Sequence, residues 1–168
     1  MDVAIGGMKA AAGGSTSVIV SGKKAEALSG NGNTLTADGV NGITVRAFTD
    51  EEIYSVLASV TAGKESSGKV GGTIAVLVTD SITTARLGQG TRAYANNGAI
   101  NVTAENRTKM MPIDLSIVGG KAEVAVNGIV IVDIYRNYVN AIVEDGSDLY
   151  AKKDILVSAL ADIFNITP

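Results

Sequence analysis

The chain has 168 residues, 14 Lys+Arg against 17 Asp+Glu, and a formal net charge of −3. It contains no His, no Cys and no Trp, and aromatic residues make up only 4%. These counts exclude Ser-His-Asp and Cys-His nucleophiles, the common zinc sites, thiolate-held iron–sulfur clusters and any disulfide framework.

The pI near 4.9 argues against a nucleic-acid partner. Apolar residues reach 46% without large rings, so a core has to be built from Val, Ala, Ile and Leu. Glycine, at 20 of 168 residues, is about 12%, above the usual ~7%. The length allows one domain or a short run of repeats.

Met1-Asp2-Val3-Ala4-Ile5-Gly6-Gly7 has neither a basic start nor a long apolar stretch, so it does not read as a signal peptide. The first strong element is Gly13-Gly14-Ser15-Thr16-Ser17-Val18-Ile19-Val20. Ala27 follows, then the turn Gly30-Asn31-Gly32, then the alternating strand Ile43/Val45/Ala47. All of these recur. Gly71-Gly72-Thr73-Ile74-Ala75-Val76-Leu77-Val78, Ala85, Gly88-Gln89-Gly90 and Ile100/Val102/Ala104 form the second set. Asn127-Gly128-Ile129-Val130-Ile131-Val132, Ala141, Asp145-Gly146 and Ile155/Val157/Ala159 form the third. The second glycines step by 58 and 56, the Ile-x-Val-x-Ala strands by 57 and 55, and Met110-Met111-Pro112 precedes Ile166-Thr167-Pro168 by 56. The repeat is therefore about 56 residues, with units near 1–55, 56–111 and 112–168.

Period-two alternation dominates each unit and predicts strands with side chains pointing alternately in and out. Gly, Asn and Asp punctuate it and predict five or six short strands per unit, with Val76/Val78 and Ile113/Leu115/Ile117 facing inward. One segment competes: Thr49 and Glu52 have capping-box spacing, and Ile53, Val56, Leu57 and Val60 follow a helical stripe. Its counterpart in the next unit holds Pro112 and alternating apolar residues, so the alignment favours a strand.

Short strands, small aliphatic residues and frequent glycine predict an all-β parallel β-helix, right-handed by default. Coils of roughly 19 residues would give three per unit, nine in all, and a rod of about 40 Å. A closed three-fold fold, a β-trefoil or β-prism lectin, is the rival.

The runs Gly71–Val78, Ala85-Arg86-Leu87-Gly88 and Gly98-Ala99-Ile100-Asn101-Val102-Thr103-Ala104-Glu105-Asn106 resemble the passenger repeats of large filamentous adhesins. These are the leukotoxin-type and autotransporter adhesins of Gram-negative bacteria, and the resemblance covers all three units. It departs at Asp38-Gly39-Val40-Asn41-Gly42, one residue longer than its counterparts, and at Tyr135, Tyr138 and Val139, where the family has small polar residues. The resemblance implies a cell-surface or secreted, outer membrane-anchored segment cut from a much larger protein. It further implies adhesion to host or microbial receptors, protein or glycan, with neighbouring repeats of the parent chain as its stacking partners. The lack of Cys suits export through a narrow pore. A carbohydrate-active β-helix, a lyase or glycosidase, is the alternative function.

No catalytic residue, cofactor or metal is expected. Asp133, Glu144, Asp145 and Asp148 are the densest acidic group, a calcium or glycosidic-cleavage candidate, but Glu144-Asp145-Gly146-Ser147-Asp148 reads first as a solvated turn. Tyr135 and Tyr138 beside Arg136 could stack on a sugar, and read first as local packing. Gly13-Gly14, Gly71-Gly72 and Gly119-Gly120 lack the residues of a phosphate-binding loop and read as turns. Lys23-Lys24 and Lys152-Lys153 read as solubilising pairs. The longest apolar run, Ile129–Val132, is too short to span a bilayer, so no membrane insertion is expected. The open ends of a solenoid predict end-to-end association.

Overall fold

A computed structural model describes residues 2–6 and 10–166. Within them every regular element is a strand: β1 (Asp2–Gly6), β2 (Ala10–Leu28), β3 (Thr34–Ala37), β4 (Ile43–Leu87), β5 (Arg92–Ala95), β6 (Ile100–Val143), β7 (Asp148–Ala151) and β8 (Ile155–Asn165). All pairings are parallel. One sheet runs β1-β4-β6-β8 with β2 also on β4, and a second runs β3-β5-β7. The chain is a parallel β-helix solenoid. Its repeats stack along an axis rather than closing around one.

The register puts the repeated residues in columns. Gly14 pairs with Gly72 and Gly72 with Gly128. Ala27, Ala85 and Ala141 form another column, and Ile43, Ile100 and Ile155 a third. Stacking like on like lets each layer repeat the packing of the one before it. The landmark Thr167-Pro168 lies outside the described residues, and Met110 pairs with Asn165.

One repeat makes one coil. Thr34 is bonded in register to Arg92, and Arg92 to Asp148, so the chain returns to the same position only after a full unit. The expected nine coils of roughly 19 residues are therefore three wide ones, a stack about 15 Å deep at the ~4.8 Å strand spacing. The reason lies in the glycines. Among the described residues positive φ is confined to Gly32, Gly42, Gly90, Gly120 and Gly146, so a glycine by itself does not mark a turn. Gly71 and Gly72 lie inside β4, and Gly13 and Gly14 inside β2, so these pairs are strand residues and not the expected turns. The five or six short strands per unit merge accordingly into two long walls and one short side.

In the middle coil, 43–62 forms one wall and 69–87 the other, with β5 on the short side. The walls face each other. Thr49 and Thr83 share a hydrogen bond of 2.8 Å between their hydroxyls. Ala47 and Ala85 belong to one buried cluster with Leu87, Val102 and Ala104. A second cluster, Ala93, Ala95 and Ile100, sits against the short side. The two apolar clusters thus occupy the proximal half of the coil, beside β3, β5 and β7.

The distal interior differs. Ser59, Thr61, Lys69, Thr73 and Thr79 are buried there. A β-carbon on Gly71 would collide with Thr61 Oγ1, so the walls come closest at that level, while Leu57, Ala75 and Leu77 are buried nearer the middle of the coil. The interior also carries a second correction. Inward positions hold Thr73, Ala75, Leu77 and Thr79, which places Val76 and Val78 outward, and Ile113, Leu115 and Ile117 are exposed. Alternation fixes the period but leaves open which set turns inward.

The segment with helical capping residues, Thr49 to Leu57, is strand, as the repeat alignment predicts. Thr49 and Glu51 point inward and are buried. The longer turn at Asp38–Gly42 is accommodated by side chains: Asn96 Nδ2 donates to Asp38 Oδ1 at 2.7 Å and Asn97 Nδ2 to Asp38 O at 3.0 Å.

Candidate functional site

The acidic residues do not converge. Asp133 lies inward on β6, eleven residues of extended wall from Glu144, a path of about 36 Å. Glu144 accepts from Arg86 Nη1 at 2.9 Å and from the Gln89 amide at 3.1 Å, which ties the acidic turn to the coil above. Asp148 Oδ2 accepts from the Tyr94 hydroxyl at 3.2 Å. Among the described residues no three His, Cys, Asp or Glu side chains gather as metal ligands would.

Tyr135 and Tyr138 stand on opposite faces of the wall. Tyr135 points inward and shares a 2.5 Å hydrogen bond with the Thr108 hydroxyl across the interior. Burial pushes its phenol pKa above the ordinary value; the Thr108 bond opposes this and the Glu51 charge adds to it. Tyr138 is exposed. Arg136 points outward too, and its Nε lies 2.6 Å from Asp80 Oδ1. The three side chains make no joint platform.

Lys23 lies 3.4 Å from Glu51, which is buried, and Lys24 lies 3.0 Å from Glu26. Lys153 Nζ donates to the Val40 carbonyl at 3.3 Å. A pair that sequence reading misses is Asp114 with Asp133, on opposing walls. Asp114 is raised from its ordinary pKa first by desolvation and then by the Asp133 charge. Only the wall-to-wall geometry brings them together, because the expected inward phase of Ile113, Leu115 and Ile117 would have turned Asp114 outward.

The extended feature of the molecule is its outer surface. On the proximal half the outward side chains include charged residues in ion pairs, interspersed with uncharged ones such as Thr44, Ile82 and Ile142. Arg46 Nη2 donates to Glu105 Oε2 at 2.9 Å, and Arg107 reaches Glu105 Oε1 at 2.6 Å. Both guanidinium groups lie over the Phe48 ring, at 5.1 and 5.6 Å from its centre. The Arg46 hydrogen bond leads in holding the Glu105 carboxyl below its ordinary pKa; desolvation opposes it, and the Arg107 charge adds to it.

On the distal half the outward residues are apolar on both walls. Val20 is 72% exposed and Val56 70%. Val18, Val70, Ile74, Val126, Val130 and Val132 continue the patch on one wall, and Ile113, Leu115 and Ile117 on the other. Soluble monomers rarely leave an apolar patch above a few hundred Å² uncovered, so faces of this kind mark interaction surfaces.

Comparison with protein-family models, with curated proteins and with solved structures gave no match. The fold class therefore stands on the strand register, and the function on the surface just described.

Proposed function

We propose that this chain is an adhesive segment of a large bacterial surface protein, attaching to host or microbial surfaces through the outer faces of its walls. The observation that carries this reading is the exposed apolar area on both walls of a solenoid whose layers repeat in register. Each coil presents nearly the same outward columns as the one before it. Weak contacts made by one layer are then made again by the next, and tethered repetition multiplies attachment without requiring a deep pocket. The resemblance to passenger repeats of filamentous adhesins points the same way. It also suggests a cell-surface or secreted location.

The wide coil shifts the emphasis of that reading from reach to area. A layer of about 56 residues advances the solenoid by only ~4.8 Å, so the fold favours a broad contact face over a thin stalk. The test is retention of the fluorescently labelled chain on epithelial cells and on whole bacteria, against a charge-matched soluble protein. The expected result is saturable retention that falls when Val20 and Val132 are both changed to Asp. Retention equal to that of the control protein would overturn the reading.

A further inference from the structure

The distal half of the coil carries an apolar outer face over a mixed interior, and on both walls that face begins at the same level. Inside it Leu57, Ala75 and Leu77 are buried together with Ser59, Thr61, Thr73, Thr79 and Lys69, whose Nζ donates to the Gly119 carbonyl. Outside it lie Tyr54, Val56, Val70 and Ile74 in the middle coil, and Ile113, Leu115, Ile117, Val126, Val130 and Val132 in the next. A sheet that serves water puts its apolar set inward. This one puts most of its larger aliphatic residues outward.

The boundary is drawn by charges. On one wall, Lys109 lies 3.9 Å from Glu52; on the other, Arg136 lies 2.6 Å from Asp80. The facing pairs Thr49/Thr83 and Thr61/Gly71 place Glu52 level with Asp80. Beyond that level, among the described residues, no outward position of 54–62, 70–78, 111–119 or 124–134 is charged. Each middle-coil stretch is nine residues long, about 30 Å at ~3.3 Å per residue. A bilayer's hydrocarbon core is about 30 Å thick, and a strand crosses it in roughly 9–11 residues. Past the apolar stretch the sequence turns polar again, as Lys64-Glu65-Ser66-Ser67 between the walls of the middle coil and Lys121-Ala122-Glu123 in the next. Exposed Tyr54 and Tyr138 sit near the charged level, where aromatic residues mark a membrane interface.

We infer that the distal half of the coil enters a lipid bilayer, with the acyl chains of membrane lipid covering both walls. This rests on the reading that the outer faces are the attachment surface, and it names their partner as lipid. A second copy of the chain would cover one wall and leave the other bare, whereas a bilayer covers both to one depth. Between coils the backbone groups of the walls are bonded to the layer above or below, as a hydrocarbon medium demands. The outer edges of β2 and of β6 beyond Met110 carry no further strand among the described residues. Insertion therefore proceeds with copies paired through those edges. No helix among the described residues is long and apolar enough to cross a membrane. The expectation of no insertion, drawn from run length, tested for helices only, because alternation conceals an apolar face from a count of consecutive residues.

The absence of native Trp makes single-Trp variants clean reporters. Val56→Trp places the probe outward in the distal half, and Thr44→Trp places it outward in the proximal half. With phosphatidylcholine vesicles, Val56→Trp emission is expected to shift to shorter wavelength and to be quenched by brominated acyl chains, while Thr44→Trp emission stays put. Unlabelled chain is expected to float with the vesicles in a density gradient, and the outward substitution Val56→Asp, with an unchanged circular dichroism spectrum, to remain at the bottom. A shift of Val56→Trp without vesicles that grows with protein concentration would assign the face to a second copy and sink the inference. Failure to float, combined with cell retention that protease or glycosidase treatment removes, would replace lipid with a protein or glycan receptor and leave the adhesive reading standing. Failure of both flotation and cell retention would remove both.

Discussion

The hydroxyl of Thr61 occupies the space that a β-carbon on Gly71 would need. The two residues stand on opposite walls of one coil, and their contact sets how closely the walls approach. Asn127 Oδ1, on the next coil, would lie 2.8 Å from the same β-carbon. Gly71→Ala is therefore expected to destabilise the fold by about 1–3 kcal/mol, the usual cost of overpacking. Adding Thr61→Ala should recover part of that loss and leave the share due to Asn127. Urea denaturation of the single and double variants measures both terms.

Turn glycines with the same backbone sign should differ in cost. Gly42 has φ +69 and a β-carbon there would overlap the Ala99 backbone, whereas Gly32, at φ +66, has nothing within 4 Å. Gly32→Ala is expected to cost about 1–2 kcal/mol, the left-handed penalty alone. Gly42→Ala should cost more than that by at least a further ~1 kcal/mol of overpacking. Equal midpoints for the two variants in thermal unfolding would contradict the tight approach of the two turns.

Core and surface aliphatics should separate just as sharply. Leu87 is fully buried in the proximal cluster, and Val56 is largely exposed. Leu87→Ala is expected to lose about 2–5 kcal/mol, and Val56→Ala to stay within about 0.5 kcal/mol. Such a contrast, read from denaturant midpoints, also tests which set of alternating residues faces inward.

Two carboxylates predict opposite pH responses. Asp114 has a raised pKa in the folded chain, so its charged form is disfavoured by folding. The penalty is absent below its unfolded value and present above its folded value. Asp114→Asn should therefore raise the melting temperature at pH 7 and leave it unchanged near pH 3. Glu105 has a lowered pKa, so its ion pairs stabilise above its unfolded value and fade as pH falls through its folded value. Glu105→Gln should lower the melting temperature at pH 7, with the difference closing in acid. Parallel melting curves across this range would contradict both assignments.

The repeat was legible because stacking demands the same small residue at the same place in successive layers. Ala27, Ala85 and Ala141 announce their column without any knowledge of the fold. The size of the coil was hidden because a glycine that turns and a glycine that runs straight are the same letter. Gly90 bends the chain with φ +67, while Gly72 lies in a strand. Burial was hidden for a related reason: Val76 and Leu77 are neighbours of similar polarity, and alternation alone does not say which one turns inward. The acidic group failed because nearness along an extended wall is not nearness in space. Asp133 meets Asp114, nineteen positions away, and never meets Glu144. The outward apolar faces were present in the alternation all along, but assigning them required knowing which set is buried.

Because a full circuit consumes an entire repeat, growth by duplication is slow in height and leaves the breadth of the walls unchanged. A thousand residues of this pattern would form about eighteen layers and rise only some 90 Å at the ~4.8 Å strand spacing. Duplicating such a gene segment adds planks to a palisade of fixed breadth, each new one nearly identical in outline to the last.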